Sequence, residues 1–128
     1  MIFNNAQINR DLALLLLRLS SGGLMIYAHG WPKLANYMDR LNTFNDPIGF
    51  GSPVALTLAV FAEVVCALMI ILGIYTRFAA LTLIILTMVI VFVVHIKDPF
   101  SKIELPLMYL FAYLTIFLAG AGRYAVKR

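Results

Sequence analysis

Two formal charges of opposite sign, Arg18 and Glu63, stand inside long apolar stretches, and a further polar set, His29, Lys33, His95 and Glu104, falls where such stretches end. A charge in hydrocarbon is costly and persists where it is partnered, hydrated or needed. At 1.5 Å per helical residue, Arg18 lies roughly 12 Å inside one end of the first stretch, and Glu63 about 15 Å from either end of the second. The two are therefore expected to meet near mid-membrane. Such a pair either fixes helix register or makes Glu63 a proton-exchanging group and polar anchor for a ligand between helices.

The remaining polar residues suggest a second layer toward the other membrane face. His29, His95 and Glu104 fall at similar depth, with Lys33 and Lys97 close in sequence, and Arg18, Gly22, Met25 and His29 share one helix face. The layers would then be joined by one groove. Two histidines and a carboxylate suit a quinone carbonyl or proton transfer, which need only rough convergence. A metal or haem is not expected, because no tight spacing such as H-x-x-x-H occurs. The candidate catalytic residues are Glu63, His29 and His95, and the candidate ligand-binding residues are Arg18, Lys33 and Glu104. Cys66, the single cysteine, falls deep in the second stretch, where a thiol is usually inert.

The elements that must hold these residues are four apolar segments, at about Asp11–His29, Pro53–Tyr75, Phe78–Ile96 and Glu104–Ala119. Each approaches the roughly 20 residues that cross about 30 Å of hydrocarbon. Of the 128 residues, 62% are hydrophobic and 12% charged, with mean hydropathy +0.93, a composition that cannot cover a water-soluble surface. The expected fold is all-α: one integral membrane four-helix bundle over residues 1–128. The first segment carries Arg18 and lacks a small-residue cleavage site, so it reads as a span rather than a removed signal. Between the first two spans, Leu34, Tyr37, Met38, Leu41 and Phe44 recur at helical spacing, which predicts a short amphipathic interfacial helix. Asp46-Pro47 and Gly49-Phe50-Gly51 then read as a turn.

Four spans put both termini on one side. That side carries five basic residues, Arg10, Arg77, Arg123, Lys127 and Arg128, against four on the other, Lys33, Arg40, Lys97 and Lys102. The excess points to cytoplasmic termini in a bacterial inner membrane. The +4 charge sits at span ends, so it indicates orientation and anionic lipid rather than nucleic acid. Small residues near Ala79 and Ala80, if left on an outer face, would allow a homodimer.

These residues, in this order, resemble the DoxX-like membrane proteins over nearly the whole chain. The resemblance runs through Arg18-Leu-Ser-Ser-Gly22, His29-Gly30-Trp-Pro-Lys33, Glu63, Gly73-Ile-Tyr-Thr76-Arg77, His95, Glu104-Leu105 and Gly120-Ala-Gly122-Arg123-Tyr124. It implies the fold more strongly than an activity. The family name derives from a thiosulfate:quinone oxidoreductase, and related proteins are associated with thiol and oxidative-stress redox systems. The implied function is a quinone-linked redox protein, or the membrane subunit of a thiol or sulfur oxidoreductase system. Its partners would be a quinone, a small sulfur-containing ligand or a redox protein. With one cysteine, sulfur chemistry would need a partner, substrate or cofactor. The alternative is a non-enzymatic scaffold that binds a lipid or a partner protein.

Overall fold

A computed structural model describes residues 8–46 and 49–126. Four helices in it are long and apolar enough to cross a membrane: α1 (Arg10–Ala35), α3 (Ser52–Leu72), α4 (Thr76–Val94) and α5 (Phe100–Ala119). A single short turn of helix, α2 (Tyr37–Arg40), lies between the first two. Each span packs against two neighbours, α1 against α3 and α5, and α4 against α3 and α5, so the chain runs up and down around a square bundle. The two ends of the described chain lie at one face, here the terminal face, and the longer connections lie at the loop face. Lys127, Arg128 and Pro47, used above in the charge balance and the turn, lie outside the described residues.

Helix α1 starts where Asn9 Oδ1 accepts the Leu12 N–H at 3.0 Å, satisfying one of the donors a helix N-terminus leaves unpaired. It continues past His29, where the first apolar segment was expected to end, through Gly30 and Pro32 to Ala35. The reason is a wide π turn over Ile26–Gly30, in which the Trp31 N–H bonds Ile26 O, five residues back. That shifted ladder admits Pro32, which has no N–H to contribute. Part of the expected interfacial helix is therefore the end of α1. Only α2 remains beyond the break at Asn36. Pro53 stands in the first turn of α3, and Gly73, at φ 76°, ends that helix in the left-handed conformation that a glycine adopts without steric cost.

The core is built from small and medium side chains that let the helices approach. Ala62, Cys66, Ala67 and Ile70 from α3 meet Ala79, Ala80, Leu83 and Ile84 from α4 and Leu110, Tyr113 and Ile116 from α5. Ala79 and Ala80 are fully buried in this core, so they form no outward ridge for a second copy. Large apolar side chains such as Leu16, Leu24, Phe61, Leu68, Ile85 and Phe111 face outward, as lipid-facing positions should. Between α1 and α3 the expected small-residue contact is present. A Cβ on Gly22 would stand 2.9 Å from Ala67 O, and one on Gly30 would stand 2.7 Å from Glu63 O.

Candidate functional site

The register set by Gly22 and Gly30 decides where the buried charges go. Gly30 lies against the Glu63 backbone and Gly22 against Ala67 and Ile71, so Arg18 is level with the end of α3. It stands about 18 Å along the helix axis from the level of Glu63, at 1.5 Å for each of the intervening residues. Side chains also lean toward their own helix N-terminus. In antiparallel α1 and α3 this carries Arg18 and Glu63 in opposite directions. The expected Arg18–Glu63 pair is therefore replaced by two separate arrangements.

Arg18 is 1% exposed and its guanidinium makes four hydrogen bonds, each to a backbone carbonyl. Nε donates to Ile70 O at 2.9 Å, Nη2 to Ile71 O at 2.8 Å, and Nη1 to Ala121 O and Tyr124 O at 3.0 and 2.8 Å. Two of these are last-turn carbonyls of α3, which have no partner within their helix. The other two belong to the segment that follows α5 and folds back to α3, where the Val126 N–H bonds Leu72 O. Arg18, expected from the sequence to bind a ligand, is thus placed as a brace at the terminal face.

Glu63 takes Lys33 as its partner. The side chain of Glu63 is 3% exposed and that of Lys33 19%, with Nζ 2.7 Å from Oε1 and also donating to His29 O at 3.3 Å. Lys33 lies in the last turns of α1, so its lean toward the N-terminus carries the ammonium down from the loop face onto the carboxylate. A charge-assisted hydrogen bond of this length compensates part of the desolvation of both groups. Glu63 lies within a second π segment, Phe61–Cys66, and a third, Ile90–Val94, ends α4 just before His95. Turns of this kind are frequent at functional sites.

All three π segments border one cavity of about 760 Å³ in the loop-face half of the bundle, where α3 and α4 diverge. His29, Lys33, Glu63, His95 and Tyr109 line it together with a larger apolar set that includes Met25, Leu58, Phe61, Ile85, Leu86 and Val94. Phe61 and Ile85 are also outward-facing, so the cavity reaches the lipid-exposed surface. Pro106 in α5 faces it too, and by lacking an N–H this proline leaves Lys102 O without its usual helical partner.

His29 presents the most telling atom. Its Nε2 is buried and has no hydrogen-bond partner among the described residues. The ring is held edge-on to Tyr109, at 5.6 Å and 84°, and Tyr109 stacks in turn on Tyr113 at 6.0 Å and 16°. The Tyr113 hydroxyl is anchored on Ser21 O at 3.0 Å. An aromatic column thus crosses the bundle from the terminal half to the cavity. His95 also lines the cavity, but its Nδ1 is 2.6 Å from Asp98 Oδ2. Glu104 is exposed and does not line the cavity, because it points away from it in the first turns of α5, contrary to expectation.

Four of the six sequence candidates, Glu63, His29, His95 and Lys33, thus meet at one cavity, while Arg18 and Glu104 do not. Tyr109 and Tyr113 were missed. The available signal was a pair of phenols in mid-span, since a buried hydroxyl requires a partner. No group of three or more metal-ligating His, Cys, Asp or Glu side chains occurs among the described residues.

The family model described as DoxX matches residues 13–96, which takes in α1 to α4 and stops before α5. No curated protein and no solved structure matches the chain.

Proposed function

This chain belongs to the DoxX family, and from that premise together with the His29–Lys33–Glu63 cavity we propose that it is a quinone-linked membrane redox protein, or the membrane subunit of a thiol or sulfur oxidoreductase system. The observation that carries the reading is the orphaned His29 Nε2 at the polar end of a mostly apolar cavity. A buried imidazole nitrogen without a partner loses about 1–3 kcal/mol relative to a satisfied one, which a ligand oxygen would restore. A quinone has the matching form, with a carbonyl-bearing ring for His29 and an apolar tail for the side lined by Phe61 and Ile85.

The chemistry a bound quinone would supply is acceptance of two electrons from a donor substrate or partner together with two protons, one of which could pass through this chain's residues. This chain's residues would do the rest. His29 would hold the ring through Nε2, with Tyr109 fixing the imidazole orientation. Lys33, which bonds both Glu63 Oε1 and His29 O, would supply an exchangeable proton at Nζ. Apolar side chains such as Met25 and Leu86 would keep water from the ring. The same reading puts the chain in a bacterial inner membrane with its termini on the cytoplasmic side, following the five-to-four excess of basic residues in the sequence.

The test is binding of a short-chain quinone to the purified protein in detergent, followed by intrinsic fluorescence. The expected result is saturable binding that His29→Ala weakens about tenfold or more. Absence of binding in wild type would overturn the reading. Displacement of a co-purified phospholipid without quinone binding would favour the lipid-binding scaffold instead.

A further inference from the structure

A second cavity, of about 440 Å³, lies at the opposite, terminal face and takes no part in the quinone reading. It is lined by Arg10, Asp11, Tyr75, Thr76, Arg77, Arg123 and the Gly120–Gly122 turn. The first turn of α4 opens into it. That helix has 19 residues from Thr76 to Val94. Its N-cap residue, Tyr75, adopts a left-handed conformation (φ 44°) and provides no side-chain cap. The N–H groups of the first turn therefore present their partial positive charge to the cavity.

Thr76 adds an independent observation. The residue is only 6% exposed, lines this cavity, and its Oγ1 has no hydrogen-bond partner among the described residues. Threonine hydroxyls in spans usually bond the carbonyl four residues back, as Thr82, Thr87 and Thr115 do here at 3.0, 2.9 and 2.8 Å. At the first position of α4 that bond is geometrically closed to Thr76. A buried hydroxyl without a partner is costly, and an acceptor brought by a ligand would satisfy it.

The charges around it favour an anion. Among the described residues, three arginines, Arg10, Arg77 and Arg123, and one acidic residue, Asp11, line the cavity, and Asp11 Oδ1 already accepts the Arg123 backbone N–H at 3.0 Å. Arg77 is oriented by its own Nε, which donates to Phe117 O at 3.1 Å, and its outer nitrogens have no acceptor among the described residues. A Cβ on Gly120 would stand 3.2 Å from Arg77 Nη2, so the turn after α5 keeps this space open by having no side chain there. Arginine forks and helix N-termini both match the oxygens of a phosphate group.

We propose that this cavity binds a phosphate group, with the Thr76 hydroxyl, the α4 N-terminus and the Arg77 guanidinium as its donors. All three arginines stand at the ends of spans, at the depth of lipid headgroups, so the phosphate belongs to an anionic lipid or to a free anion from the adjoining water.

The test uses the full chain in an uncharged detergent, with three probes: phosphatidylglycerol, phosphatidylcholine and inorganic phosphate. Lipid retention is read by native mass spectrometry and melting temperature by intrinsic fluorescence. A headgroup site retains phosphatidylglycerol about tenfold more tightly than phosphatidylcholine, and Arg77→Gln removes the preference. A free-anion site instead shows inorganic phosphate raising the melting temperature without added lipid. In either case Thr76→Val weakens the effect several-fold while melting no lower than wild type in the absence of probe, because it removes an unsatisfied hydroxyl without leaving a void. Failure of both anionic probes to bind, or binding unchanged in both variants, would overturn the proposal.

Discussion

Lys33 reaches from the last turns of α1 to Glu63 in the middle of α3 and closes a 2.7 Å ion pair at the polar end of the main cavity. This contact replaces the one between Arg18 and Glu63 that charge and depth alone suggested, and it divides the chain's buried charges between two tasks. Arg18 holds the terminal face together, and Lys33 with Glu63 sets the electrostatics at the cavity.

Breaking that pair from one side should cost more than removing it. Lys33→Met leaves a carboxylate that is almost fully buried without its cation, at about 3 kcal/mol. Lys33→Met combined with Glu63→Leu should recover most of the loss. Thermal melting of the two variants in detergent checks the order, and equal destabilisation by both would contradict the pairing.

Arg18→Lys should destabilise the protein by roughly 2–4 kcal/mol, since one ammonium cannot serve carbonyls from two segments as the four guanidinium bonds do. Quinone affinity of the folded protein should not change, because Arg18 lies outside the cavity. Denaturant titration, alongside a binding curve, separates the two effects. A variant as stable as wild type would show the brace to be unnecessary.

The glycines of α1 provide an internal control. Gly22→Ala and Gly30→Ala place a methyl group within 3 Å of backbone oxygens of α3, so both should separate the helices and lower the yield of folded protein. Gly23→Ala meets nothing within 4 Å and should be neutral, or stabilising by up to about 1 kcal/mol through helix propensity. Folded yield by size-exclusion chromatography distinguishes them.

The aromatic column can be dissected in the same way. Tyr109→Leu removes the edge-on support of His29 and should weaken quinone binding about three- to tenfold, through loss of an interaction worth about 0.5–1.5 kcal/mol. Tyr113→Phe loses only the bond to Ser21 O and should cost about 1 kcal/mol of stability with affinity unchanged. Titrations of both variants with one quinone provide the comparison.

Much of the candidate site was legible because membrane cost marks polar residues wherever they fall. Glu63, His29, Lys33 and His95 stood out on that ground alone, and all four line one cavity. Glu104 was misplaced because similar depth says nothing about which way a side chain faces around its helix. Tyr109 escaped notice because its ring looks like ordinary core, and its role comes only from contact with His29 across two helices. The π turn that carries α1 past Pro32 was equally hidden, since no residue pattern announces a five-residue step in the ladder.

Composition and hydropathy by themselves determined that this chain forms four membrane spans with charges that must be satisfied inside them. Which partner satisfies each charge was decided only by the tertiary structure. The reason is geometric: the close contacts at Gly22 and Gly30 fix how far α1 and α3 slide past each other. With that register set, the lean of side chains toward their own helix N-termini sends Arg18 to the carbonyls of one face and brings Lys33 down to Glu63 from the other.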